Sequence, residues 1–332
     1  MPSFEIIIPG PLSTVQDLGR RGYLSAGFCP SGVMDVNAAR IANTLAGNFE
    51  REGQICAAVI EMTMQGVTGR FIGDALFAVT GADMPILLND SPIEPYKARM
   101  ARSGDTLSIG YARSGCRAYL AFSGGVDVPV VMGSRSTHIK CGIGGYEGRK
   151  LARADVLRIG TPHSLPKTAA MASPILYRTG AIHVCEGPQF ARFAKKETDA
   201  FLSSEYTVSP QSDRMGIRLD GPLVACEGGA DIVSDGIPNG AIQISNLGQP
   251  MILLADRQTI GGYAKPFVVI EADLPRLGQM RPGDKVRFRK VSQRQARMAY
   301  LETMIELGVT QRKIEEAYTG SYRFMGFTIG RG

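Results

Sequence analysis

Residues 255–265 place several side chains capable of chemistry in one short segment. The segment reads Ala-Asp-Arg-Gln-Thr-Ile-Gly-Gly-Tyr-Ala-Lys and follows the apolar residues 251–254. A turn that only reverses the chain needs Gly, Pro, Asn or Asp. Arg and Lys add charge that suits an anion, and glycine lets backbone N–H groups approach a ligand. The pattern indicates a site for a small polar or anionic ligand, with a solvated hairpin tip carrying a surface ion pair as the alternative.

Four further loops share this mixture of acids, guanidinium groups, hydroxyls and glycines. They are residues 16–23, 133–138, 212–216 and 234–240. Arginine clamps suit carboxylates and phosphates, while Asp, Lys or His can move protons on an amide or carboxylate substrate. In each loop the alternative is an Asp–Arg ion pair that locks the loop without any chemistry. The recurrence of one composition in several loops favours a function.

Two sets of candidate residues follow from these loops. The candidate catalytic residues are Asp213, Asp256, Lys265 and His138. The candidate substrate-binding residues are Gln16, Asp17, Arg20, Arg135, Ser136, Thr137, Arg214, Gln243, Arg257, Gln258, Thr259 and Tyr263. No metal site is predicted, because the histidines at 138, 163 and 183 are too few and too scattered for a standard ligand set.

The composition argues against several classes of protein. The chain has 332 residues and a net charge of +6, and it is 44% hydrophobic, as a globular protein is. No apolar run approaches the roughly 20 residues of a membrane helix, and the N-terminus lacks a signal-peptide pattern. The basic stretch at 276–297 is interpreted as a strand and a solvated helix, so no nucleic-acid partner is predicted. Six cysteines without a C-x-x-C pair favour reduced thiols and a cytoplasmic location.

Standard nucleotide and nucleophile motifs are missing from the sequence. Residues 142–150 resemble a phosphate loop only superficially, and neither the G-x-G-x-x-G fingerprint nor the G-x-S-x-G elbow occurs. No Met-Lys-Met motif is present, so no biotin is expected on this chain.

Short strand-like segments dominate the chain, which predicts a mainly β fold with closed barrels and a few peripheral helices. Asp35 is predicted to cap a helix over 36–45, and a second helix is predicted over 189–202. A helical tail over 292–318 is predicted to break at Gly308 and restart at Thr310. The prolines within 161–178 indicate a linker between domains at 1–160 and 179–332, each expected to form a β-barrel.

An ordered set of short motifs is similar to the biotin-dependent carboxyltransferase-like family, also called allophanate hydrolase subunit 2, KipA-like or the 5-oxoprolinase C subunit. The opening motif is Gly-Pro-Leu-Ser-Thr-Val-Gln-Asp-Leu-Gly-Arg at 10–20, with Pro-Ser-Gly-Val-Met-Asp at 30–35. Gly-Ser-Arg-Ser-Thr at 133–137 and Ser-Asp-Arg-Met-Gly at 212–216 follow in order. The last is Asp-Arg-Gln-Thr at 256–259, followed by Gly-Gly-Tyr.

The resemblance implies two cyclophilin-like β-barrel domains and a KipI-like partner, the B component of the same enzyme. It implies one of three roles: the C component of an ATP-dependent 5-oxoprolinase acting with the A and B components, a protein that transfers a carboxyl group to urea or a related amide, or a KipA-like protein that sequesters a kinase inhibitor. The chain shows neither biotin carboxylase nor biotin-carrier regions, which favours the hydrolase role. ATP is then expected on this chain or on its partners. In that role Arg135, Arg257 and Lys265 bind anionic groups, and Asp213 or Asp256 orients the nucleophile.

Overall fold

The computed structural model describes residues 1–162, 164–324 and 327–330, so His163 lies outside the described residues. Contacts divide the chain into two compact units, and both are discontinuous in sequence. The first unit contains Met1–Gly19, Asp35–Leu176 and Ile305–Gly332. The second unit contains Arg20–Met34 and Tyr177–Met304. The sequence-based division around 161–178 stays a prediction, although Ala170, inside that range, is buried in the first unit.

The first unit is built on two antiparallel sheets with a shared core. Its strands are β1 Ser3–Ile8, β2 Leu12–Gln16, β3 Val59–Thr63, β4 Thr68–Ile72, β5 Ala75–Asp83, β6 Ile86–Leu88, β7 Ser91–Pro92, β8 Arg99–Ala101, β9 Thr106–Ile109, β10 Ser114–Phe122 and β11 Val156–Arg158. The strand orders are β11-β1-β4-β9-β6-β7 and β2-β3-β10-β5-β8. Phe4 and Phe71 from the first sheet pack with Phe77 and Phe122 from the second. Asp17 directly follows β2, and residues 133–138 lie in the long connection between β10 and β11.

The second unit contains a closed barrel of seven strands. The strands of this unit are β12 Ile182–Glu186, β13 Glu205–Val208, β14 Gly216–Asp220, β15 Asp231–Gly236, β16 Ala241–Ile244, β17 Pro250–Leu253, β18 Ile260–Tyr263, β19 Phe267–Val269 and β20 Lys285–Lys290. The barrel order is β12-β19-β16-β17-β14-β13-β20, and β15 pairs with β18 outside it. Ile217, Ile242 and Ile252 point into the barrel core. The prediction of a mainly β fold with few helices is confirmed, and barrel closure is seen in this second unit.

The described part of the chain contains four α-helices: α1 Val36–Leu45, α2 Lys195–Ser203, α3 Leu274–Gly278 and α4 Gln293–Thr319. The predicted helix at 36–45 is confirmed, and the Asp35 side chain accepts a hydrogen bond from Ala38 N at 3.1 Å, as a cap should. The predicted helix at 189–202 is instead a 3-10 turn, Phe190–Arg192, followed by α2. Two further strands, β21 Ser321–Phe324 and β22 Phe327–Gly330, pair antiparallel after α4.

The predicted break in the C-terminal helix is wrong, because α4 runs through Gly308 without interruption. Thr310 does not cap a new helix; its hydroxyl donates to Glu306 O at 3.0 Å within the same helix. A glycine in a helix costs about 1 kcal/mol relative to alanine. Leu307 and Ile314 are buried in the core of the first unit, and their packing outweighs that cost.

Candidate functional site

In the first unit, Asp17 joins the end of β2 to the loop at 133–138. Its Oδ1 accepts hydrogen bonds from Ser134 Oγ at 2.6 Å, Ser136 Oγ at 2.5 Å and Gly19 N at 2.8 Å. Its Oδ2 accepts from Arg135 N at 2.6 Å. Asp17, Ser134 and Ser136 are all buried. A carboxylate with this many donors is strongly held, so Asp17 fixes the position of the loop.

The other predicted residues of this region lie beside the same strand. Thr137 Oγ1 donates to Val15 O at 2.8 Å, and Gln16 Nε2 donates to Thr137 O at 3.1 Å. Gln16 is fully buried, and its Oε1 accepts no hydrogen bond from any described residue. His138 is buried next to Thr137 and pairs through its backbone with Ile143. The structure therefore brings Gln16, Asp17 and the predicted residues of the 133–138 loop together.

Arg135 differs from its neighbours because its side chain borders open space. Its Nε donates to Val128 O at 3.2 Å, and its side chain lines a cleft of about 430 Å³ in the first unit. Asn43 and Asn48 line the same cleft. Both amides are already bonded, Asn43 Nδ2 to Ala57 O and Asn48 Nδ2 to Phe122 O. Arg135 is thus the residue of this loop best placed to meet an anion, and its predicted role stays a prediction.

In the second unit, Arg214 and Asp256 form a buried ion pair. Arg214 Nε and Nη2 donate to the two carboxylate oxygens of Asp256, at 2.9 and 3.1 Å. Arg214 Nη2 also donates to Gly32 O at 2.6 Å. Planar two-point pairing of this kind fixes orientation as well as charge. The pair therefore ties residues 20–34 to the barrel.

Arg257, next in sequence, is buried and bonded to backbone carbonyls. Its Nε donates to Ile237 O at 2.9 Å and its Nη1 donates to Leu254 O at 3.2 Å. Burial lowers the pKa of Arg257, and the nearby Cys29 opposes that shift. Cys29 is itself buried in the 20–34 segment, as is Arg20, whose backbone N donates to Pro30 O at 2.6 Å.

Lys265, a predicted catalytic residue, has a fully buried amine. Its side chain is 0% exposed, and Nζ has no hydrogen-bond partner within the described part of the chain. Asp235 Oδ2 lies 3.8 Å from Nζ, too far for a hydrogen bond. Burial lowers the pKa of Lys265, and the charge of Asp235 opposes this shift. Desolvated lysines with lowered pKa values are typical of proton-transfer and nucleophilic sites.

Two residues beside Lys265 were not singled out individually from the sequence. Gln189 Oε1 accepts a hydrogen bond from Lys265 N at 3.1 Å, and Gln189 Nε2 lies 3.4 Å from Asp235 Oδ2. Asp235 belongs to the polar segment 234–240, so its composition was a signal. Gln189 gave no signal, because it is distant in sequence from Lys265 and meets it only in the folded barrel.

The remaining predicted residues lie in turns or on the outer face of the barrel. Asp213 Oδ1 accepts from Met215 N at 2.7 Å and Gly216 N at 3.2 Å, which closes a turn before β14. Thr259 O accepts from Ile237 N at 3.0 Å. The other predicted residues in this group line a pocket of about 270 Å³, and they are Gln243, Gln258 and Tyr263. Their roles in binding or catalysis stay predictions.

The described residues contain no group of three or more His, Cys, Asp or Glu side chains that could hold a metal ion. None of the described helices combines the length and apolar character needed to cross a bilayer.

Comparison with known proteins places the whole barrel and most of the first unit in one family. The family described as carboxyltransferase domain, subdomain A and B, matches residues 26–290. The chain is 37% identical over 292 residues to the C subunit of 5-oxoprolinase from Escherichia coli (strain K12), covering 88% of this chain and 92% of that protein.

Longer proteins contain a similar region. Urea amidolyase of Lachancea kluyveri is 37% identical over 320 residues, covering 89% of this chain and 17% of that protein. The crystal structure of the K. lactis urea amidolyase matches with a TM-score of 0.84 and 31% identity, covering 93% of this chain and 20% of that one. These matches confirm the resemblance seen in the motifs, and the chain belongs to the family of carboxyltransferase domains with subdomains A and B.

Proposed function

We propose that this chain is the C component of an ATP-dependent 5-oxoprolinase, which opens 5-oxoproline to glutamate together with the A and B components. The proposal rests on how much of each relative's length this chain matches. The match to the 5-oxoprolinase protein extends over 92% of its length, whereas the match to urea amidolyase extends over 17%. A relative that is matched over almost its whole length is the better guide to the role of this region.

The chemistry of a lactam explains why such a protein needs charged groups. A lactam is a poor electrophile, and transfer of a phosphoryl group from ATP to its oxygen makes the ring carbon reactive. Water then adds to that carbon, the C–N bond breaks, and the ring nitrogen gains a proton. Breaking of the C–N bond leaves an acyl phosphate with a free amine. A second water attacks the carbon of that acyl phosphate, the bond from this carbon to the phosphate oxygen breaks, and phosphate leaves with the original lactam oxygen, so the products are glutamate, ADP and phosphate.

Lys265 supports a role in moving the protons of these steps. An amine with a lowered pKa can accept a proton from the attacking water and return it to the ring nitrogen. Nζ has no hydrogen-bond partner among the described residues, so no hydrogen bond within them holds the amine in its protonated form. Asp235 lies close enough to stabilise the ammonium while it holds the proton.

We place ATP on a partner protein. The glycine-rich segment at 142–148 resembles a phosphate loop, but its backbone is bonded within the first unit. Gly142 N donates to Ile139 O, Gly145 N to Arg135 O and Gly148 N to Gly144 O. A phosphate cradle needs such N–H groups directed at the ligand. The proposal therefore includes a KipI-like B component and an A component of 5-oxoprolinase in a cytoplasmic complex.

Carboxyl transfer to urea or a related amide is the second candidate. The family description and the K. lactis urea carboxylase structure favour it, the latter with a TM-score of 0.84 and 97% of this chain covered. Carboxyl transfer requires carboxybiotin as the donor, whereas opening of 5-oxoproline does not.

The test is reconstitution of the chain with the A and B components, measuring ATP-dependent formation of glutamate from 5-oxoproline. We expect turnover that requires this chain and that Lys265→Met abolishes. Lys290→Met is the matched control, because Lys290 is an exposed barrel lysine paired with Glu186 at 2.9 Å. Turnover that persists when this chain is omitted would contradict the proposal. Activity with carboxybiotin and urea in its place would establish the second candidate.

A further inference from the structure

The outer face of the barrel carries a pocket that is lined by several carboxamide side chains and an arginine. Its floor is a row of residues across three strands, in which Arg218 of β14 is opposite Met251 of β17, and Met251 is opposite Gln243 of β16. The next residues along each strand, Ile217, Ile252 and Ile242, point into the core. Because side chains alternate between faces of a sheet, Arg218, Met251 and Gln243 share the outer face.

Three carboxamides border this pocket of about 270 Å³: Gln243, Gln249 and Gln258. Gln243 is only 6% exposed although it lies on the outer face, because β18 covers it. Its Nε2 lies 3.5 Å from Tyr263 O, the limit of a hydrogen bond, and the Gln243 side chain has no other partner among the described residues. A buried carboxamide with so little bonding is incompletely satisfied by the protein.

Gly261 lets two of these carboxamides approach one another. A Cβ atom built at residue 261 would lie 2.7 Å from Gln258 Nε2 and 3.1 Å from Gln243 Nε2. Any side chain at 261 would therefore displace both amides. The backbone at Gly261 does not have a positive φ, so glycine is required here for space and not for conformation.

Arg218 adds a charge at the edge of the pocket. It is exposed, and its guanidinium forms no ion pair with any residue that the structure describes. Arg287, another outward arginine of the barrel, is by contrast paired with Glu205 at 3.1 Å. An arginine fork without a partner suits a carboxylate, which it can bind through two parallel hydrogen bonds.

We infer that this pocket binds a small cyclic amide that carries a carboxylate, with the carboxamides of Gln243 and Gln258 pairing with the lactam N–H and C=O and Arg218 binding the carboxylate. A carboxamide has a donor and an acceptor side by side, which matches the donor and acceptor of a lactam. Met251 provides an apolar floor for the ring carbons. The inference deepens the proposed function and rests on it for the identity of the substrate.

The test measures binding to the full-length chain by titration calorimetry with three probes: 5-oxoproline, 2-pyrrolidinone, which lacks the carboxylate, and proline, which lacks the lactam carbonyl. We expect 5-oxoproline to bind best. Arg218→Gln should weaken 5-oxoproline at least tenfold and leave 2-pyrrolidinone unchanged. Gly261→Ala should weaken both lactams, and Gln258→Ala, an exposed change that spares the fold, should do the same. Arg287→Gln is the matched control and should change no affinity.

Two results would overturn the inference: no binding of 5-oxoproline to the wild-type chain, or equal affinity in wild type, Arg218→Gln and Gln258→Ala. Turnover by the reconstituted complex distinguishes this failure from failure of the proposed function. Full turnover with Arg218→Gln and Gln258→Ala would refute the pocket and leave the proposed function intact. Lactam binding by the chain with no turnover in the complex would refute the proposed function and leave the pocket intact.

Discussion

At the scale of single residues, a buried amine without a hydrogen bond is costly, and Lys265 is such a residue. Its Nζ is removed from water, and the carboxylate of Asp235 lies 3.8 Å away without a direct hydrogen bond. The lowered pKa of Lys265 means that the unfolded chain holds the proton more tightly than the native protein does. Stability therefore rises with pH from the lowered pKa up to the ordinary lysine value of 10.5, and Lys265 contributes least at lower pH.

Replacing Lys265 by methionine should stabilise the protein while removing activity. We expect Lys265→Met to raise the free energy of unfolding by about 1–2 kcal/mol at neutral pH, because an apolar chain fills the site and Asp235 remains half exposed. The gain should shrink as the pH approaches 10.5. Urea unfolding across this pH range checks the prediction. A Lys265→Met protein less stable than wild type at neutral pH would show that the amine is well paired.

Asp17 differs from Lys265 because both oxygens of its buried carboxylate accept hydrogen bonds. Asp17→Asn places an N–H₂ group opposite Arg135 N or opposite the two serine hydroxyls, all of which donate to the carboxylate. We expect a loss of about 2–3 kcal/mol in the free energy of unfolding, measured in urea. Asp127→Asn, at an exposed pair with Arg158, is the control and should cost less than about 1 kcal/mol. Equal effects at the two positions would contradict the role of Asp17 as an anchor.

At the scale of elements, the loop at 142–148 depends on left-handed backbone conformations. Gly142 and Gly145 have φ values of 63° and 57°. A Cβ atom at 142 meets nothing within 4 Å, whereas one at 145 would lie 1.8 Å from Thr137 Oγ1. Thr137 cannot retreat freely, because its hydroxyl is bonded to Val15 O.

Alanine at these two glycines should separate backbone strain from steric conflict. We expect Gly142→Ala to cost about 1–2 kcal/mol of unfolding free energy, which reflects the left-handed conformation alone. Gly145→Ala should cost about 1–3 kcal/mol more, because the added methyl group displaces Thr137. Thermal or urea unfolding of both variants gives the comparison. Equal costs would mean that the loop relaxes away from Thr137.

Elements defined by local signals could be predicted from the sequence, and those decided by distant packing could not. The helix at 36–45 was predictable because Asp35 provides the cap and the apolar spacing lies within a few residues. The continuity of α4 through Gly308 was not predictable, because it depends on the packing of Leu307 and Ile314 against α1. The same distinction between local and distant signals applies to the candidate site. The polar composition of residues 255–265 was visible, but the burial of Lys265 depends on contacts made after folding.

At the scale of the whole molecule, residues at both ends of the sequence build the first unit. Leu307, Ile314 and Tyr318 of α4 share a core with Ile41 and Leu45 of α1. Tyr318 donates a hydrogen bond to Leu45 O at 2.5 Å. No local pattern at residue 314 reveals a partner at residue 41, because the two residues meet only in the folded protein.

A pair of substitutions in α4 tests whether its C-terminal half belongs to the first unit. Ile314→Ala should lower the free energy of unfolding by about 2–4 kcal/mol, because Ile314 is 1% exposed. Val309→Ala, at a side chain that is 45% exposed, should change it by less than about 0.5 kcal/mol. Urea unfolding measures both. Similar small effects would show that α4 does not complete this core.

The discontinuity of the first unit has a consequence for synthesis of the protein on the ribosome. Residues 305–320 are translated only after the whole of Tyr177–Met304, which takes roughly ten seconds at usual elongation rates. During that interval Ile41 and Leu45 have emerged without the helix that covers them, so the nascent chain exposes apolar surface that chaperones recognise. The second unit, which contains the barrel and ends at Met304, is then able to fold first. The first unit completes its structure last, because it needs residues 305–320.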